Sequence, residues 1–391
     1  MRELLVRILR TNNNTWEGYF MILLDVKLDN IYGFNDFHMN FSYPKKIVNS
    51  IIDDEFLDGR PNFRYKKAIV LMGANATGKT TLGKALLNIF NFIEGLDTTA
   101  LTKMAPSGKE GSFSVDFVNN GYTLHRVTGN FTSDAEERPV MRFYYSSTEI
   151  GTKDSYETCA ERLNKADPEE QGFADLNKFA VNIGKINYVF SCPEVKPSAE
   201  ISKADKKITL RVLKAVIGTL DPTLNDVVIS KDLKNSFIIR RGNEEIIIQD
   251  GKLLNREALS SGTAEGVDIA FFLSLILSGN NGFYYCDEHF SYIQSDIEKR
   301  IFGLMLDHLD KNEQLIFTTH NSDMLDLNMP KHSFAFLRKR AEENYKVSVM
   351  FASEILKRNS DSVHCALEND MFNSIPDDSL LNHLEKGWAD E

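Results

Sequence analysis

The residues best suited to chemistry lie in GANATGKTT, Gly73 to Thr81, which satisfies the pattern G-x-x-x-x-G-K-[ST]. It follows a continuous apolar run, KAIVLMG, and opens a helical run, LGKALLNIFNFI, the context this pattern requires. In such a loop the backbone N–H groups, here from Gly73, Asn75, Ala76, Thr77, Gly78 and Thr81, cradle phosphate oxygens together with the helix N-terminus. Lys79 would reach the β- and γ-phosphates, and the Thr80 hydroxyl would bind Mg²⁺. The expectation is a nucleoside triphosphate site taking ATP and Mg²⁺.

A second stretch, FYYCDEHFSY from Phe283 to Tyr292, ends an apolar run in two carboxylates and a histidine. Alone it reads equally as a metal site, an acid/base pair or the start of a polar loop. Beside a phosphate-binding loop, Asp287 becomes the Mg²⁺-supporting carboxylate and Glu288 the group that polarises the attacking water. The run QLIFTTHNSDML then puts His320 at the C-terminal end of a further strand, where ligands gather in an open parallel sheet. His320 reads as a γ-phosphate sensor. The stretch LSSGTAEG, Leu259 to Gly266, sets Ser260 and Gly262 at the start of an apolar helix, which is another anion-binding device.

The elements that must position these residues follow from periodicity. Alternation in MILLDVKLDNIYGF and FHMNFS (Phe37 to Ser42) predicts two strands, and KAIVLMG a strand buried on both faces. A helix is expected over Leu82 to Ile93. GSFSVDFV, GYTLHRVT and VMRFYYSS read as antiparallel strands, and residues 151 to 200 as irregular with helical pieces. Ala199 to Leu220 reads as an amphipathic helix, NSFIIRRGNEEIIIQDG as a hairpin across Gly242-Asn243, and Thr263 to Ser278 as an apolar helix. Strand FYYCD, a helix through Ile301 to Leu309 and strand QLIFTTH then alternate as in βαβ units. The fold class expected is an α/β nucleoside-triphosphatase with a mostly parallel core sheet, an antiparallel β subdomain, a helical insertion and no long coiled coil. The divisions expected are 1–20 as an N-terminal extension, 21–353 as the head with 94–258 holding subdomain and insertion, and 354–391 as an acidic C-terminal segment.

Composition narrows the partners. The 391 residues carry a formal net charge of −11, which argues against a surface broadly coated for phosphate contact but leaves room for a local basic patch. Cys159, Cys192, Cys286 and Cys365 lie far apart with no Cys-x-x-Cys pair, so structural zinc and a disulfide framework are not expected and a reducing cytoplasm fits. No apolar run reaches the ~20 residues of a membrane helix. Met21 starts the first strand, and Trp16-Glu17-Gly18 can encode a ribosome-binding sequence just upstream. Met21 is thus a candidate natural start, with a small N-terminal packing or assembly element as the alternative.

These motifs together resemble the ABC-type ATPases. LSSGTAEG, between the phosphate loop and the Asp-Glu strand, is similar to that family's signature, with Ser260 and Gly262 in the characteristic positions. LDNIYGFNDFHMNF resembles the opening strand pair of RecF/SMC-like heads, with Tyr32 where Arg is common. The ending QLIFTTHNSDMLDLNMPKHSFAFLRK and the later ENDMFNSIPD resemble ATPases of bacterial abortive-infection systems, of the AbiL, RloA and PARIS type. The resemblance implies a homo-oligomer, at least a dimer, in which each signature loop completes the partner's ATP site. It further implies a switch in anti-phage defence that controls a separately encoded toxin or nuclease, with DNA or a phage protein as trigger. His289 and Phe290 depart from the family pattern, as does the loop Ser291-Tyr292-Ile293-Gln294.

Two other functions compete with that one. A RecF-like repair or chromosome-maintenance ATPase would bind DNA directly, and Lys203, Lys206, Lys207, Arg211 and Lys214 form a basic helical face that is either solvated or a dock for nucleic acid or an acidic partner. Arg240-Arg241 form a second basic cluster. The nucleotide subunit of a transporter fits less well, because VDIAFFLSL lacks the basic helix usual there. The carboxylates Asp323, Asp326, Asp377 and Asp378 make no nuclease-like cluster.

Overall fold

Two six-stranded sheets carry the chain, and the residue patterning of their strands explains which one is buried on both faces. The computed structural model describes residues 20–376 apart from 49, 96–97, 107–108, 120, 134–138, 167–168, 172–182, 184–185, 195–203, 225, 280–281, 341–344 and 359. The candidate start region, Lys203 and the acidic end of the chain therefore lie outside the described residues.

The described residues open with β1 (Met21–Asp29) and β2 (Phe37–Asn40), then a short hairpin of β3 (Phe56–Leu57) and β4 (Arg60–Arg64), then β5 (Ala68–Gly73). Helices α1 (Lys79–Gly95) and α2 (Thr98–Thr102) lead to β6 (Gly111–Asn119), β7 (Thr123–Ser133) and β8 (Pro139–Glu149). Next come α3 (Tyr156–Lys165), β9 (Glu169–Gln171), β10 (Tyr188–Ser191) and α4 (Lys206–Leu220). A four-stranded unit follows, β11 (Asp226–Ile229), β12 (Ser236–Arg241), β13 (Glu244–Gln249) and β14 (Lys252–Leu253). The chain continues through α5 (Ser261–Leu277), β15 (Phe283–Asp287), α6 (Ser295–His308) and β16 (Gln314–Thr318). Strands β17 (Phe334–Lys339) and β18 (Val347–Phe351) precede α7 (Ala352–Ile355) and α8 (Val363–Glu368).

The central sheet has the order β10-β15-β16-β5-β17-β18. Every neighbouring pair in it is parallel except β17 with β18. Strands β15 and β16 are buried at all five positions, as a sheet covered on both faces demands. Their side chains alternate between two cores. Val70, Tyr284, Cys286, Leu315 and Phe317 face α4, α5 and the four-stranded unit, while Ile69, Leu71, Phe283, Tyr285 and Ile316 face α1 and the other large sheet. That second sheet is antiparallel, in the order β2-β1-β6-β7-β8-β9.

Polar groups tie the sheets together. The Gln314 side chain accepts from Leu23 N at 2.7 Å and donates to Leu23 O and Lys66 O, at the point where β1 changes register between Leu23 and Asp25. Lys66 donates to the carbonyls of Asn40 and Ser42, with its ammonium 4.0 Å from the Phe351 ring centre, and burial lowers its pKa to about 8.

The elements expected from periodicity are present with differences at their ends, whereas β10, inside the span expected to be irregular, and β17 and β18 are central-sheet strands that periodicity did not mark. The first helix spans Lys79–Gly95 rather than Leu82 to Ile93, and α6 starts at Ser295, well before Ile301. The amphipathic helix runs from Lys206, where Asp205 caps it by accepting from Lys207 N and Ile208 N, and the part expected over 199–203 lies outside the described residues. The apolar helix starts at Ser261 under the Ser260 cap. Asp323 accepts from Ser295, and Asp326 pairs with His364, so neither is gathered into a carboxylate cluster. Arg240 pairs with Glu245 and Asp226, and Arg241 with Glu244, which neutralises the second basic cluster. All four cysteines are free. No helix of the described residues is long and apolar enough to cross a membrane.

Candidate nucleotide site

The loop 73–81 joins β5 to α1, and its glycines are there because backbone atoms crowd it. A Cβ at Gly73 would fall 2.6 Å from the Leu337 carbonyl oxygen on the adjacent strand β17. Gly78 has φ +103, and a Cβ there would sit 3.0 Å from the Phe34 ring. Between them Ala76 also has positive φ, while Thr77 folds back to donate to Ala74 O at 2.8 Å. The result is a concave loop leading into the α1 N-terminus, the backbone arrangement that suits phosphate oxygens. Asn75 lies on this loop, and Thr81 lies in the first turn of α1, half-buried.

Lys79 is buried, and its ammonium donates to Gly73 O at 2.8 Å and Ala74 O at 3.3 Å. The same nitrogen lies 3.2 Å from a Glu288 carboxylate oxygen. Thr80 donates its hydroxyl proton to Asp287 at 2.6 Å, and Thr318 donates to the other Asp287 oxygen at 2.7 Å. Burial raises the Asp287 pKa, against the pull of those two hydroxyls.

Glu288 adopts φ +49, an unusual conformation for a residue with a side chain, held by its N–H donating to the Thr318 hydroxyl at 3.0 Å. This turn aims its carboxylate at His320, whose Nε2 is 2.9 Å away, and at Lys79. The hydrogen bond from His320 and the nearby Lys79 charge lower the Glu288 pKa to about 2, while partial burial opposes them. Adjacent carboxylates are thus pushed in opposite directions by their surroundings. The His320 loop is itself braced. Buried Glu298 accepts from Thr319 and from Asn321, each at 2.7 Å.

The five residues Lys79, Thr80, Asp287, Glu288 and His320, drawn from three separate segments, therefore meet at the C-terminal ends of β5, β15 and β16. Thr80, Asp287 and Thr318 offer hard oxygen donors, which is the chemistry Mg²⁺ prefers, and the loop cradle that a Cβ would obstruct suits a phosphate chain. Ser260 and Gly262 occupy a different place. Ser260 is exposed and caps α5 by accepting from Thr263 N at 3.2 Å. Gly262 packs against the loop after Glu288, where a Cβ would fall 2.7 Å from Tyr292 O. Among the described residues no hydrogen bond joins Ser260 to the phosphate loop. His289 is fully buried, with Nε2 2.7 Å from the Ser191 hydroxyl, and so belongs to the packing of β15 on β10.

Three contributors escaped sequence reasoning. Thr318 braces both carboxylate residues, Tyr285 donates to Lys79 O at 2.6 Å, and Phe34 floors the loop beneath Gly78. Thr318 stands two residues before His320 in a strand already read as site-forming, so strand alternation would have pointed to it. Nothing local marks Tyr285 or Phe34.

No family model matches the chain, and no curated protein matches it. Among solved structures, an SMC head bound to the C-winged helix domain of ScpA aligns at 14% identity and TM-score 0.48, covering 88% of this chain and 99% of that one. An SMC head with an extended coiled coil, bound to the C-terminal domain of ScpA derived from Pyrococcus furiosus, aligns at 14% identity and TM-score 0.48, covering 89% and 98%. The recombination mediator protein RecF aligns at 10% identity and TM-score 0.42, covering 85% and 99%. The chain thus has an α/β fold with a β5-loop-α1 unit in the middle of a mostly parallel sheet, carboxylates ending β15 one strand beyond β16, and an antiparallel sheet alongside.

Proposed function

We propose that the chain is a Mg²⁺-dependent ATPase whose site is completed by the signature loop of a second copy, and that it acts as a switch in anti-phage defence controlling a separately encoded toxin or nuclease. The observation that carries the ATPase reading is the convergence of Lys79, Thr80, Asp287, Glu288 and His320 around one loop. Mg²⁺, held by Thr80 and Asp287, would supply charge neutralisation of the triphosphate. Lys79 binds the β- and γ-phosphates, and the N–H groups of Asn75 to Thr81 orient them. Glu288 orients and deprotonates water, and His320 senses the γ-phosphate.

The pairings suggest how this base is kept idle. With its pKa near 2, Glu288 is too weak a base to take a proton from water. Once Lys79 and His320 turn to phosphate, Glu288 loses the hydrogen bond from His320 and the nearby Lys79 charge, and its basicity returns toward the carboxylate range. Exposed Ser260, at a helix N-terminus with no tie to its own phosphate loop, supports a role toward a neighbouring copy. The defence assignment rests on the sequence resemblance of residues 314–339 and 368–377. Phage plating on a host carrying the intact locus should show protection that Glu288→Gln removes; equal protection by both would overturn the hydrolytic switch.

One observation favours a RecF-like DNA-binding ATPase instead. Lys206, Lys207, Arg211 and Lys214 are all exposed on α4, and none forms an ion pair among the described residues. Salt-sensitive DNA binding by the purified protein, lost on reversing these charges, would select this second reading.

A further inference from the structure

Helix α6 buries Glu298, Ile301, Phe302 and Met305, the i, i+3, i+4, i+7 stripe that a helix turns toward its core. Three of the four are apolar, and Phe302 packs on Phe317 of β16 with ring centres 4.8 Å apart. The first position of the stripe is instead a glutamate, 2% exposed. A carboxylate at a core position breaks the local pattern and is costly unless its oxygens are paired.

Both oxygens are engaged by the turn that carries His320. One accepts from the Thr319 hydroxyl and the other from the Asn321 amide, each at 2.7 Å, so a single carboxylate grips the residues on either side of the imidazole. The same helix end adds further ties. The Asn321 amide also donates to the Ser295 hydroxyl at 2.9 Å, and Ser295 donates to Asp323 at 2.6 Å. Within the turn, Asn321 N donates to the Thr319 hydroxyl, and Asp323 N to the Asn321 side-chain oxygen, each at 3.0 Å. The His320 side chain itself is 43% exposed and meets Glu288 at 2.9 Å, so its place follows from its backbone more than from packing.

We propose that Glu298 is a positioning residue for His320. Its carboxylate fixes the 319–321 turn so that the imidazole meets Glu288 and, in the ATPase reading above on which this inference rests, the γ-phosphate. Because Glu298 belongs to α6, helix and imidazole move as one, and the position of α6 becomes a control on hydrolysis.

The test exploits polarity. Both groups facing Glu298 are donors, so Glu298→Gln sets one amide N–H₂ against another. Combining Glu298→Gln with Asn321→Asp puts a donor opposite an acceptor again and conserves charge. In the full-length, nucleotide-free protein labelled with ¹³C-histidine, the resonance that His320→Ala removes identifies the ring. Glu298→Gln should shift that resonance, and the combined variant should return it. With ATP and Mg²⁺, Glu298→Gln should lower kcat by about tenfold to 10²-fold, the cost of a displacement of up to about 1 Å, and leave KM unchanged. The combined variant should recover most of that loss, and it decides the matter even if Glu298→Gln does not fold. In a His320→Ala background, Glu298→Gln should lower kcat no further. An unmoved His320 resonance in folded Glu298→Gln overturns the inference, as does an additive loss in the His320→Ala background. A combined variant that regains the wild-type melting temperature but neither resonance nor turnover shows a role in stability alone, and overturns it too. Wild-type turnover by His320→Ala sinks the sensor reading and this inference with it. Slow turnover by His320→Ala beside wild-type turnover by Glu298→Gln sinks the positioning role and leaves the ATPase reading standing.

Discussion

Replacing Glu288 by Gln separates binding from turnover in a way the geometry makes quantitative. The carboxylate lies 3.2 Å from the Lys79 ammonium and 2.9 Å from His320, so it competes with any incoming anion for both groups. Coulomb's law at that separation gives about 5 kcal/mol at an effective dielectric of 20. Glu288 is partly exposed, and Lys79 also holds two loop carbonyls, so the net competition is nearer 1 kcal/mol. Neutralising the carboxylate should therefore tighten ATP about fivefold. Loss of the base should lower kcat by about 10²–10⁴-fold. Phosphate release under saturating ATP, with equilibrium titration of a fluorescent ATP analogue, reads both quantities, and light scattering should show an ATP-stabilised dimer. Turnover at the wild-type rate would refute the assignment of Glu288. Loss of ATP binding would show instead that the residue serves the loop conformation at φ +49 rather than the water.

Ser260→Arg should leave ATP binding intact and abolish assembly-dependent hydrolysis, at a cost of about 1 kcal/mol in stability from the lost α5 cap; normal hydrolysis would refute the trans site. Gly83→Ala should lower the melting temperature, because the new methyl would lie 2.3 Å from the Phe190 ring, and overpacking of about 1–3 kcal/mol outweighs the ~1 kcal/mol gain in helix propensity. Burial pushes the His125 pKa down from 6.5 to about 4, so between those values the unfolded chain binds a proton the folded chain does not, and stability rises with pH across that window. His125→Gln should flatten that slope, removing up to about 3 kcal/mol of pH dependence; parallel denaturation curves for the two proteins would contradict the burial.

The site was legible where chemistry and local context coincide. GANATGKTT carries its own signature, and the apolar run ending in Asp287 and Glu288 was interpretable only because that loop existed more than 200 residues earlier. Helix ends were misplaced wherever a cap decides them, as at Ser260, since capping depends on backbone geometry rather than periodicity. Thr318, Tyr285 and Phe34 were missed because their roles arise from parallel register and sheet packing, which bring together residues far apart in sequence. The Arg240-Arg241 pair looked like a free basic cluster, yet the hairpin sets both opposite acidic residues, Glu245 and Glu244. His289 stood out as an oddity beside the carboxylates, and its place is the interior, against Ser191.

Gln314 spends its side-chain amide on the backbone of another sheet, standing in for a ladder that β1 cannot complete at its irregularity. A strand of the nucleotide core thereby becomes a structural member of the antiparallel sheet. The two layers then lose the option of melting separately, because opening either one strands a buried amide or a buried strand backbone. Hydrogen exchange at Leu23 and along β16 should therefore be governed by one cooperative unit, and the antiparallel sheet acts less as an appended subdomain than as the lid on the core that carries the 73–81 loop.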